Sequence, residues 1–321
     1  MWHLEKLSND TVKWFTDTFL QPVYDNIQRA GNGLPTKVKR KLTKEVIKNL
    51  MEKEPETLYS YADRIKGEII ATGVDWNIVR PKLFALFDYD NNISKNKELS
   101  YELADKVGTK TCVYCNRIYT ITAHVYEDED GNALDDASKR RIVRPDFDHW
   151  LAKAKHPLTS MSIYNLIPSC PICNRSIKLR KEFERGNHVH PYTSAVDPSF
   201  KFHYEPAVNG QWNLSLDGGS DIEKRTAEIL ETEAVYKCHA DMEVKDILDF
   251  LYSNTPEYLN DLFNKVLGAN GGMITTEEAY KIIFGFEALP AKFLDRPLSK
   301  LKRDILMQAA GTLHLSFDSL M

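Results

Sequence analysis

The chain has 321 residues, 42% hydrophobic and 27% charged, with a formal net charge of -4 and a mean hydropathy of -0.42. These values exclude a disordered chain, and the lack of any apolar run near the roughly 20 residues that cross a bilayer excludes a helical membrane protein. A pI near 6.2 excludes a protein that grips nucleic acid over its whole surface, because Lys and Arg dominate phosphate binding.

The opening Met1-Trp2-His3-Leu4-Glu5-Lys6 lacks the charged-then-apolar order of a secretory signal, so a cytoplasmic protein is expected. Residues 1–107 read as helical: Val12, Trp14, Phe15, Phe19, Leu20 and Val23, then Leu42, Val46, Ile47, Leu50 and Met51, repeat at three-and-four spacing. Asn9 or Asp10 is the expected cap of the first helix, and Ser100 the start of one ending near Gly108. The pattern changes over 108–200. Arg117 to Tyr126 alternates like a strand, Glu127 to Asn132 reads as a turn, and Arg141 to Phe147 as a returning strand. In 201–321, Phe200–Tyr204 and Trp212–Leu216 around Asn209-Gly210 form a second expected hairpin. Helices follow, marked by Val235 to Leu251, Tyr280 to Phe286 and Leu298 to Ala310. The fold class is α+β, with helical regions on both sides of a small central unit.

That central unit carries Cys112-x-x-Cys115 and Cys170-x-x-Cys173. Each pair turns two thiolates toward one ion, and two pairs supply the four sulfur ligands of a structural zinc at about 2.3 Å. In a reducing compartment such pairs are metal ligands more often than disulfides. Cys238 has no partner at this spacing and is expected to be a lone buried thiol. Basic runs flank the candidate site on both sides: Lys139, Arg140, Arg141 and Arg144 before Asp148-His149, and Arg175, Lys178, Arg180, Lys181 and Arg185 after the second pair. They are read as phosphate contacts or solvated faces.

The order Cys-x-x-Cys, Asp148-His149, Asn165-Leu-Ile-Pro-Ser-Cys-Pro-Ile-Cys-Asn174 and a following Lys178 resembles the HNH endonuclease family over residues 108–192. The resemblance implies a ββα-metal fold and hydrolysis of DNA phosphodiester bonds, double-stranded DNA being the expected substrate. His149 matches the general base, and its imidazole can take a proton from water. Asp148 and Asn174 match the metal ligands; they are hard oxygen donors suited to Mg²⁺ or Mn²⁺. Many relatives have His where this chain has Asn174. Asn165, grouped with the catalytic set, matches the residue that clamps the loop carrying the base. Because neighbours on a strand face opposite ways, a loop is expected to begin at Asp148. Asp146 is read as an alternative ligand or as the partner of an arginine. Lys178 and Arg175 are expected phosphate contacts, Lys178 with a solvated side chain as the alternative. His190, in His190-Pro191-Tyr192, is read as a phosphate contact, a third metal ligand or a structural turn.

The helical flanks with Lys-Thr-Cys-x-x-Cys-Asn116-Arg117, Phe147-Asp-His-Trp150 and His-Pro-Tyr also resemble stand-alone bacterial HNH proteins, some of which partner an ABC-type ATPase in anti-phage defence systems such as Septu and related retrons. An ATPase partner is therefore expected, with self-association left open. Two other readings stand beside this one: a nuclease directed at RNA such as transfer RNA, and a non-catalytic zinc module that binds nucleic acid or a partner.

Overall fold

The computed structural model describes residues 1–128, 130–136, 138–179, 181–208, 210–262 and 275–313. Its mixture of helices and short antiparallel strand pairs is an α+β arrangement. Five longer helices lead, with a single helical turn at Thr36–Lys39 after the first: α1 (Asn9–Gln28), α2 (Lys44–Glu52), α3 (Pro55–Ile70), α4 (Trp76–Phe87) and α5 (Lys97–Val107). The α1 cap is Ser8, whose hydroxyl accepts from the Thr11 amide, one residue before the expected position. Asn96 caps α5, so that helix begins ahead of Ser100; it ends as expected at Gly108, whose φ of 69° suits a residue without a Cβ. Phe15, Phe19, Val23, Ile47, Leu50 and Leu83 share a buried core with Phe147, Met161, Ile163 and Leu166. The leading helices thus pack directly on the segments that build the site.

The strands are shorter than the alternation suggests. Only Ala123–Val125 (β1) is strand within the expected Arg117–Tyr126 run; ahead of it the cysteine knuckle turns at Asn116, φ 48°, and Tyr119 makes only an isolated bridge to Thr111. The expected return from Arg141 to Phe147 divides at Arg144-Pro145 into β2 (Arg140–Val143), paired with β1, and β3 (Asp146–His149). Pro145 carries no N–H to donate to a ladder, and it stands between the two pairings. β3 pairs antiparallel with β4 (Leu166–Ser169), setting Asp148 opposite Ile167 and His149 opposite Leu166. No loop starts at Asp148: the strand runs on through His149 and ends there.

A third hairpin joins β5 (Phe200–Pro206) to β6 (Trp212–Gly218). The Asn209 of its expected turn lies outside the described residues, as do Arg180 and Glu129. Helices α6 (Asp221–Ile229), α7 (Thr232–Lys237), α8 (Lys245–Tyr252), α9 (Pro256–Asp261), α10 (Thr276–Phe284) and α11 (Ser299–Leu313) complete the chain. Phe202, Leu214, Tyr236, Leu248, Phe286 and Leu301 form their core, joined by Trp2. Cys238 is exposed, contrary to the expected buried thiol, since α7 turns Tyr236 into the core and leaves its C-terminal end to solvent. Among the described residues, no helix is long and apolar enough to cross a membrane.

Candidate active site

Cys112, Cys115, Cys170 and Cys173 are buried, and their sulfurs lie within 4.8 Å of one another. Both knuckles are shaped by short backbone hydrogen bonds, Asn116 N–H to Cys112 C=O at 2.7 Å and Asn174 N–H to Cys170 C=O at 3.0 Å. A tetrahedron of thiolates about 2.3 Å from zinc would set neighbouring sulfurs about 3.8 Å apart, which this cluster can meet with little adjustment. Burial pushes the Cys112 thiol up while contacts from the other three sulfurs hold Cys115 down. Four such groups in contact resolve that conflict when a cation takes all of them as thiolates. The cluster could hold a metal such as zinc.

The first knuckle reaches past the cluster. Tyr114, between Cys112 and Cys115, donates its hydroxyl to Asp148 Oδ2 at 2.5 Å. Burial first, then the neighbouring Asp148 charge, raises the Tyr114 phenol far above its ordinary range, so it stays a donor. Asn116 anchors the same turn to the C-terminal part, its amide donating to the Phe293 carbonyl at 2.7 Å while its own carbonyl accepts from Leu298 N–H at 2.7 Å.

Beside the cluster is an open cleft of about 410 Å³ whose walls include Asp148, His149, Asn174, Arg175 and Lys178. β3 supplies the first two, and the helical turn Cys173–Lys178 after the second knuckle supplies the others. His149 is buried, with Nε2 2.9 Å from the Ser160 carbonyl. A carbonyl only accepts, so Nε2 carries the proton and Nδ1 keeps the lone pair. The Tyr89 ring packs edge-on against the imidazole, centroids 4.4 Å apart. Burial lowers the His149 pKa to about 3, with the Ser160 hydrogen bond opposing and Lys153 and Lys178 adding to the shift. The ring is therefore neutral at pH 7, the form that accepts a proton.

Asn165 is buried at the start of β4 and does not line the cleft. Its amide donates to the carbonyls of Leu151 and Thr159, both at 3.1 Å, and its oxygen accepts from Leu151 N–H at 2.8 Å. It closes the loop between His149 and β4, the loop that presents Ser160 to the imidazole. Its place is therefore positioning, and the catalytic grouping is corrected accordingly.

His190 agrees in the structure with the structural-turn reading, at the head of the Pro191–Thr193 turn, and not with the phosphate-contact or metal-ligand readings. It is buried beyond Trp150, with Nε2 2.9 Å from the Tyr59 hydroxyl and its ring 4.7 Å from the Trp150 ring, and it lies outside the cleft wall. The apolar shell of Tyr59, Trp150 and Tyr192 captured it, and it cannot touch a phosphate held in the cleft.

The charges in the cleft are paired. Arg175 grips Asp146 with two hydrogen bonds of 2.8 and 2.9 Å, as the arginine-partner reading of Asp146 anticipated, and Asn174 Nδ2 reaches the same carboxylate at 3.2 Å. Lys178 meets Asp148, and Lys153 meets Asp90 at 2.5 Å. Arg144 instead hydrogen-bonds Ser100 Oγ and the carbonyls of Ser94 and Pro145, with no carboxylate paired to it among the described residues. Asp148 and Asn174 bring one carboxylate and one amide oxygen to the same wall. Such hard donors fit Mg²⁺ or Mn²⁺ in chemistry, although Asp148 Oδ2 is already engaged.

Sequence reasoning missed Tyr114, Ser160 and Tyr59. Ser160 acts through its backbone carbonyl, which leaves no mark on residue type, and Tyr114 reads as core filling until the fold sets it beside Asp148. No protein-family profile, curated protein or solved structure matches the chain.

Proposed function

We propose that the chain is a metal-dependent endonuclease of the HNH kind that hydrolyses DNA phosphodiester bonds, with zinc held by Cys112, Cys115, Cys170 and Cys173. The observation that carries this reading is a neutral imidazole of set tautomer in one cleft with a carboxylate, an amide oxygen and two cationic side chains. His149 Nδ1 takes the proton from the attacking water while Ser160 holds the ring in place. Arg175 and Lys178 meet the phosphate oxygens as charge grows on them. A divalent ion held by Asp148 and Asn174 would supply charge stabilisation at the phosphate and leaving oxygen. A metal on the four sulfurs would brace the knuckle that carries Tyr114, whose hydroxyl donates to Asp148.

The near balance of charge in the cleft suits a nuclease that receives its substrate through a partner, and an ABC-type ATPase in an anti-phage system is the partner proposed from the resemblance. The test is cleavage of supercoiled plasmid and of total RNA, side by side, with Mg²⁺ or Mn²⁺ and with EDTA. The expected result is nicked or linear plasmid only with the metal, and at least about 100-fold less with His149→Ala. A folded, zinc-loaded His149→Ala protein cutting at the parent rate would remove the assignment, and RNA cut in place of plasmid would move the substrate class.

A further inference from the structure

Lys178 is only 5% exposed, yet it sits in the wall of an open cleft. Its ammonium contacts Asp148 Oδ2 and donates to the His149 carbonyl at 2.7 Å, and it lies 4.9 Å from the Phe183 ring centre. A carboxylate oxygen, a peptide oxygen and an aromatic face are the surroundings a bound cation seeks. The ammonium therefore stands where an ion bound through that oxygen of Asp148 would stand, and two cations cannot share the place. Tyr114 holds the same oxygen from the knuckle side, so Asp148 cannot swing away without losing that bond. Lys178, on a stem of single bonds, is the group able to move. The next residue, Leu179, is exposed and holds φ 35° and ψ -94°, a strained conformation for a side chain of its size. Strain of this kind clusters at active sites, ligand clamps and switch segments.

We propose that Lys178 is a latch: it occupies the cation position on Asp148 in the resting protein and moves to the substrate phosphate, so that the divalent ion and the phosphodiester bind cooperatively. This rests on reading the cleft as a phosphodiester site. Cooperativity follows by reciprocity, since a phosphate that draws Lys178 away raises the ion's affinity by the factor by which the ion raises the phosphate's. The free protein then holds its ion weakly and is armed only with substrate in place.

Mn²⁺ binding to the full zinc-loaded chain, followed by loss of the free-ion EPR signal, tests the latch. Lys178→Met should bind Mn²⁺ about 10-fold more tightly than the parent, and Lys178→Arg, which keeps the charge, should remain weak. In the parent protein, thymidine 3′,5′-bisphosphate as the phosphate probe should raise Mn²⁺ affinity by about 10-fold, with Asp148→Asn as the blank for ion held by the probe alone. Equal affinities in parent and Lys178→Met, or no effect of the probe, would overturn the latch. If Lys178→Met does not fold, the probe experiment on the parent decides alone. Plasmid cleavage that depends on His149 but shows no such coupling would sink the latch and spare the nuclease; coupling without cleavage would do the reverse.

Discussion

Asn165 uses both ends of its amide on the loop that follows His149: it holds the N–H and the carbonyl of Leu151 and shares the Thr159 carbonyl with Ser162 N–H. Asn165→Ala should strand the buried Leu151 N–H and carbonyl and cost about 2–3 kcal/mol, read as a lower urea midpoint with unchanged slope. A loss below about 0.5 kcal/mol would show that other contacts hold the loop. At this scale the sequence was readable where a residue type is chemically distinctive. His149, Asn174, Arg175 and Lys178 do meet Asp148 in one cleft. His190 misled because histidine serves equally well as a reactive group and as a buried hydrogen-bonding ring, and only its Tyr59 and Trp150 neighbours separate the two.

At the scale of elements, the two knuckles do what no strand pair here could do alone. β3 and β4 are four residues each, too short for a free hairpin to persist in water. Cys170→Ser should therefore release zinc from a stoichiometry of about one per chain and lower stability by about 5 kcal/mol or more, measured by metal analysis and denaturant unfolding. Retained zinc with an unchanged unfolding curve would remove the sulfur cluster from its structural role. The cysteine spacing announced the knuckles, and helix periodicity located α1, α2 and α11 to within a few residues. Strand ends were less legible. Alternation in Arg117–Tyr126 began before the chain meets a ladder, which pairs only from Ala123 after an isolated bridge at Tyr119, and Arg141–Phe147 ran across the Pro145 break, because side-chain patterning does not register where the backbone finds its ladder partner.

Across the whole molecule, burial sets the response to pH. His149 and His190 both have their pKa lowered to about 3, chiefly by burial, and burial lowers His156 and His239 in the same direction. At these rings the unfolded chain takes up protons below about pH 6.5 while the folded chain does not, so their contribution to stability is complete above that pH and falls as pH drops toward 3. Each of the two buried rings contributes a slope of about 1.4 kcal/mol per pH unit inside that window. Asp304, raised by burial, acts in the opposite sense but is one group against the four histidines. A urea midpoint lower at pH 5.0 than at pH 7.5 is expected, and equal midpoints would mean that these rings are solvated. Composition and spacing by themselves determined the class of the fold, the four-sulfur cluster and the residues with chemistry to offer, because those depend on residue type and on short-range periodicity. Only the tertiary structure decided that Tyr114 ties the sulfur centre to Asp148, that Ser160 sets the His149 tautomer, that Asn165 and His190 stand away from the cleft, and that Lys178 already fills the place beside the carboxylate. Each of these is a contact between segments distant along the chain or with a backbone atom, and neither leaves a pattern in the order of side chains.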